Sequence, residues 1–110
     1  MAGATAKPQT PALLGVSAST YYTVTAATVG NVKELLVNNT TGTARTFTVY
    51  FCPNSVSPAS ANMVINAVSI ASGTSMRLPY NTFLEAGATV QALADAANAV
   101  SFRVSAVELT

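Results

Sequence analysis

The chain has 110 residues, half of them apolar and only 8% charged, with a net charge of +1 and no histidine; an ordinary soluble domain carries about 25% charged residues. That balance excludes intrinsic disorder, which goes with low hydrophobicity and high charge. It also excludes sequence-independent nucleic-acid binding, because phosphate neutralisation needs clustered Lys and Arg and the five bases here stand singly.

Residues 1–11 read as an extended N-terminal arm, and residues 12–110 as a single β-sandwich domain. The arm is small, polar or proline, and its Lys7-Pro8 and Thr10-Pro11 steps favour extended backbone. It is either a free terminus or a segment that orders against a partner. Its composition does not fit a secretory leader, which needs about 7–15 apolar residues behind a basic end, and Ala2 breaks the myristoylation pattern. No apolar run in the chain approaches the roughly 20 residues of a membrane span.

From residue 12 onward Ala, Thr, Val, Ser and Asn dominate. The β-branched residues among them suit a pleated sheet. Residues 12–19 are expected to form a first edge strand, residues 21–25 a second, closed by the turn signal Gly30-Asn31. Residues 32–38 follow, apolar at Leu35, Leu36 and Val37. In the next strand, residues 46–52, Phe47, Val49 and Phe51 alternate with Thr46, Thr48 and Tyr50, the period of a half-buried strand. The turn formers of residues 39–44 make a hairpin of these two strands the local expectation.

Residues 53–62 read as a loop. Residues 63–65 and 68–71 are two short strands or one kinked strand, and residues 72–74 turn the chain. Residues 75–78 and 82–84 are expected as strands separated by Pro79-Tyr80-Asn81. After a turn at residues 85–87, residues 89–93 and 100–109 complete the set. In the last strand Val100, Phe102, Val104 and Ala106 share a face, while Val107 and Leu109 break the parity, as a bulge or two-sided burial would. Turn signals about every 8–12 residues indicate an antiparallel two-sheet sandwich or barrel. The competing reading is helix in the Ala-rich stretches 60–70 and 91–97.

The residue inventory offers little chemistry. Without histidine, Ser–His–Asp and Cys–His catalysis are out of reach, and one cysteine cannot close a tetrahedral zinc site. The single Cys52 excludes an internal disulfide and fits synthesis in a reducing cytosol. Glu34 and Glu108 fall within strand patterns and Glu85 and Asp95 at turns, which argues against a catalytic carboxylate pair. The glycines are isolated turn residues, not a phosphate loop. Asn38 and Asn39 open glycosylation sequons that the Asn- and Thr-rich composition produces by chance. No catalytic residue, cofactor or metal is therefore expected, and no nucleic-acid or membrane partner.

What remains is surface. Interface cores are depleted of charge, so so few charges point to a surface covered by other protein, either copies of itself as a homo-oligomer or a scaffold. Lys7, Pro8, Pro11, Tyr21, Tyr50, Arg77 and Tyr80 are the candidate interface residues. Tyr50 is on the outward face if Phe47, Val49 and Phe51 point inward. Packing and sugar stacking are the other readings of the tyrosines.

Tyr21-Tyr22-Thr23-Val24, the run 32–39, the Thr-rich connection and Thr46-Phe47-Thr48-Val49-Tyr50, followed by Leu84-Glu85-Ala86-Gly87-Ala88-Thr89-Val90, Ala97-Asn98-Ala99-Val100 and Val104-Ser105-Ala106-Val107-Glu108, together resemble the small capsid decoration, or cement, proteins of tailed bacteriophages. The resemblance covers about residues 21–109. It implies a jelly-roll sandwich of about eight short strands. It also implies a virion protein, made in the host bacterial cytoplasm, that sits outside the capsid as a dimer or trimer. There it would staple neighbouring major capsid proteins, with the arm and Lys7 reaching an acidic patch of the shell. Similar patterns occur in phage fibre and tail components, where a receptor- or carbohydrate-binding role is the alternative.

Overall fold

The computed structural model describes residues 3–7 and 12–110. Pro8 and Pro11 lie outside the described residues. Among the described residues nine strands build two antiparallel sheets: β1 (Ala4–Lys7), β2 (Ala12–Leu13), β3 (Ser19–Thr23), β4 (Val29–Asn39), β5 (Arg45–Cys52), β6 (Met63–Ile70), β7 (Ser75–Leu84), β8 (Thr89–Ala94) and β9 (Val100–Leu109). One sheet runs β1-β9-β4-β7, with β2 also on β9; the other runs β3-β8-β5-β6. β1 and β2 lie on the same flank of β9, opposite residues 106–109 and 101–102. Taken together as one interrupted strand, they give the eight-stranded jelly roll. Ala4–Lys7 of the expected arm is thus a strand of the sandwich.

From β2 onward the chain changes sheet at every connection except β5 to β6. This overturns the expected hairpin of residues 32–38 with 46–52. β4 is flanked by β7 and β9, so it has no free edge for β5. The corner between them is organised by Asn39, which is fully buried. Its Nδ2 donates to the carbonyls of Thr43 (2.7 Å) and Ile70 (3.1 Å), and its Oδ1 accepts from the backbone N–H (2.9 Å) and hydroxyl (2.7 Å) of Thr41. The amide is saturated by these four bonds, which leaves no access to its sequon. β5 instead pairs with β6 across the loop of residues 53–62, and with β8.

Irregularities on β4, β3 and β6 decide which side chains face the core. Between Val32 and Leu35, β4 takes three steps where β9 takes two, from Ala106 to Val104. The extra residue, Lys33, switches the inward positions from even to odd, so Val32, Leu35 and Val37 are all fully buried. On β3 the extra residue is Tyr21, between the pairs Thr20–Gln91 and Tyr22–Val90. On β6, Ala67 adopts φ +47° and donates its N–H to Thr48 Oγ1 at 3.0 Å. That bulge makes residues 63–70 one kinked strand.

β7 is one strand through Pro79-Tyr80-Asn81, correcting the expected break, and the expectation survives only as a shift of its register against β4 between Pro79 and Thr82. β7 is an edge strand of its sheet, and there a proline is tolerated. Its even positions, Met76, Leu78, Tyr80 and Leu84, pack on the core. β9 keeps its parity to the end: Glu108, not Val107 or Leu109, takes the last inward position, while Leu109 is exposed. Phe47 and Phe102 are the largest wholly enclosed side chains of the core. The Ala-rich stretches read as possible helix hold a single 3₁₀ turn (Ser60–Asn62) and otherwise strand and turn.

Candidate functional site

Glu108 is the one carboxylate driven into the sandwich, at 3% exposure. β9's alternation puts it there, and burial of a charge is tolerated only with partners. Its Oε2 accepts from the Tyr22 hydroxyl at 2.6 Å and from the Thr25 N–H at 3.0 Å; its Oε1 lies 3.6 Å from Lys7 Nζ. Burial pushes the carboxyl pKa up, but the bonds from Tyr22 and Thr25 and the charge of Lys7 outweigh it and hold the group at about 2. Burial, reinforced by the adjacent carboxylate, pushes the Tyr22 hydroxyl well above its ordinary range. At neutral pH the pair is therefore phenol and carboxylate, and no proton moves between them. The cluster ties together β1, β3 and the turn after it, and β9. Gly30 makes room for it: a Cβ there would stand 2.8 Å from Val24 Cγ2 and 3.0 Å from the Tyr22 hydroxyl.

The other charges are peripheral. Arg77 pairs with Glu34 at 3.5 Å and Arg45 with Asp95 at 3.9 Å. Lys33, Arg103 and Glu85 form no ion pair among the described residues. No group of three potential metal ligands occurs among the described residues, and Cys52 is buried.

The expected interface residues do not gather on one face. Lys7 turns toward Glu108. Tyr21 meets Phe102 edge-on, with centroids 5.5 Å apart. Tyr80 meets Phe51 in the same manner at 5.5 Å, bridging the two sheets, and burial raises its pKa. Tyr50 is half-buried on β5 between Gln91 and Met63. Arg77, paired with Glu34, is the most exposed of the described candidates, with 71% of its side chain accessible. Sequence periodicity missed the inward turn of Tyr21 because the bulge on β3 has no local signature. It missed that of Tyr80 because Pro79 reads as a strand breaker.

The outer face of the β1-β9-β4-β7 sheet has two distinct ends. At one end Val29 stands beside Leu109, and Phe83 lies opposite Asn31. Val29, Leu109 and Phe83 are exposed, Phe83 to 58%, while Asn31 is 5% exposed. Asn31 donates to Asn81 Oδ1 at 2.9 Å, and its own Oδ1 is buried without a partner. At the other end the outward residues are Ser101, Asn38, Ser75, Arg103, Leu36 and Arg77.

No protein-family model matches the chain, and no curated protein matches its sequence. Its fold is shared with solved structures. A chain of the infectious bursal disease virus T13 particle superposes with a TM-score of 0.60 at 9% identity, over 98% of this chain and 30% of the viral one. A chain from the Gx strain of the same virus gives 0.53 at 12% identity, over 99% and 37%. A subunit of the disulfide-linked pili that form Bacillus endospore appendages gives 0.56 at 17% identity, over 100% and 87%. This chain therefore spans about a third of the viral chains and most of the pilus subunit. At these identities the likeness is one of fold: the jelly roll of this chain is also that of a viral-particle chain and of a pilus subunit.

Proposed function

We propose that the chain is a non-enzymatic structural subunit of a virus particle, and specifically a decoration protein that binds the outside of a phage capsid and staples neighbouring major capsid proteins. The observation that carries this reading is the superposition of nearly the whole chain on a jelly roll of a viral particle. Two features support it. The chain has few charges to desolvate against other protein, and charges are costly to bury unless paired. The outer face of the β1-β9-β4-β7 sheet presents Val29, Leu109 and Phe83, an apolar end suited to a protein neighbour. Each contact adds modest burial, at roughly 25 cal/mol per Å² of apolar area before association costs. Attachment of an oligomer at several points turns weak contacts into a durable one.

The test is the copy number of the chain in purified particles of its source, by quantitative mass spectrometry, with cryo-electron microscopy of the same particles. Hundreds of copies on the shell exterior is the expected result. Absence from the particle refutes the reading.

The pilus match favours a second reading, a fibre component, because it covers both chains nearly end to end. A few dozen copies or fewer, located on a tail or fibre, would select it. The covalent linkage of those pili has no counterpart here, since Cys52 is the sole cysteine and is buried.

A further inference from the structure

The polar end of the outer sheet face holds a depression of about 380 Å³ lined by Leu36, Asn38, Ser75, Ser101, Phe102 and Arg103. Its layout follows from the register. Asn38 of β4 lies opposite Ser101 of β9 on one side and Ser75 of β7 on the other; one row along, Leu36 lies between Arg103 and Arg77. Strands about 4.8 Å apart make the Ser101–Asn38–Ser75 row roughly 10 Å wide, and two residues of rise set Arg103 about 7 Å along the strand. The patch is the size of one pyranose ring. Two hydroxyls and a carboxamide supply donors and acceptors at one edge, and at the other a guanidinium stands beside the apolar side chain of Leu36. Arg77 is engaged by Glu34, whereas Arg103 forms no ion pair among the described residues.

The geometry points to a binding site for an acidic monosaccharide unit, a sugar ring carrying a carboxylate. The fork of Arg103 takes the carboxylate by charge-assisted hydrogen bonds, and Ser101, Asn38 and Ser75 take ring hydroxyls. A lone carboxylate would use only the arginine; a neutral sugar would use only the polar row. The ring of Phe102 is buried in the core against Tyr21, so the site offers no aromatic platform for stacking and selects by charge and hydroxyl pattern. It stands independently of whether the chain coats a shell or builds a fibre.

Titration of the ¹⁵N-labelled full chain with glucuronate, glucose and acetate, followed by NMR, tests this. Glucuronate is expected to shift amides of residues 36–38, 75–77 and 101–103 saturably, and to bind at least about tenfold more tightly than glucose, which lacks the charge-assisted contact, or acetate, which lacks the ring hydroxyls. Arg103→Ala should abolish the response, and Arg77→Ala should retain it. Asn38→Asp, which places a negative charge in the hydroxyl row, is a second variant expected to abolish it. The proposal is overturned by the absence of saturation, by an unchanged response in Arg103→Ala or Asn38→Asp, or by glucose or acetate binding as tightly as glucuronate. Equal binding of acetate would mean that the arginine takes any carboxylate, a partner's acidic side chain included.

Discussion

Replacing Glu108 by Gln removes one charge from the interior while keeping its shape. The carboxyl lies at about 2 against an ordinary 4.5, a difference worth on the order of 3 kcal/mol of stability at neutral pH. The sign follows from the depressed native value. Above 4.5 both native and unfolded chains carry the carboxylate, and the stabilisation is complete; as the pH falls from 4.5 toward 2 the unfolded chain takes up the proton first, and the stabilisation is lost. In Glu108→Gln the Oε1 still accepts from Tyr22 or Thr25, but an uncharged amide then faces Lys7. Urea denaturation of both proteins at intervals between pH 7 and pH 2.5 measures the effect. The variant should be less stable by about 3 kcal/mol at pH 7, and the gap should narrow steadily below pH 4.5. Parallel stability curves across that range would refute the assignment of Glu108 as a buried, hydrogen-bonded carboxylate. Lys7→Ala should cost less than about 1 kcal/mol, because a third of its side chain is exposed and solvent screens the pair.

Gly30→Ala should destabilise the fold by about 1–3 kcal/mol, since its methyl meets Val24 at 2.8 Å and overpacking costs that much; thermal unfolding measures it. Asn39→Ala should cost about 2 kcal/mol or more by leaving the Ile70 carbonyl buried and unpaired, and Asn39→Asp should cost at least as much at pH 7 by aiming a carboxylate at two carbonyls. Both are read by chemical denaturation. Ala67→Gly should be neutral or stabilising by up to about 1 kcal/mol, because relief of the left-handed backbone offsets the extra entropy of glycine in the unfolded chain. Ala92→Gly, at a buried position with ordinary strand backbone, should instead destabilise.

Sequence alone determined the class of fold and the surface economy of this protein. The alternation in β5 and the first part of β9 is legible because each strand keeps an unbroken two-residue period, and β-rich composition with regular turns leaves a sandwich as the natural packing. The scarcity of charge is likewise a property of the sequence, and it sets the limits on chemistry.

Only the tertiary structure decided which strands pair, because partners in a jelly roll are distant in sequence and the nearest strand usually lies in the other sheet. It also decided the facing of β4 and of Tyr21, since one inserted residue reverses parity and any residue type can be the insertion. Glu108 is the sharpest case. Its position in the strand predicts burial, its charge argues against it, and the decision rests on Lys7 from β1 and on Tyr22 and Thr25 from β3 and the turn after it, two distant parts of the chain. The row Ser101–Asn38–Ser75 was invisible for the same reason: three common polar residues become a site only when three separate strands bring them side by side.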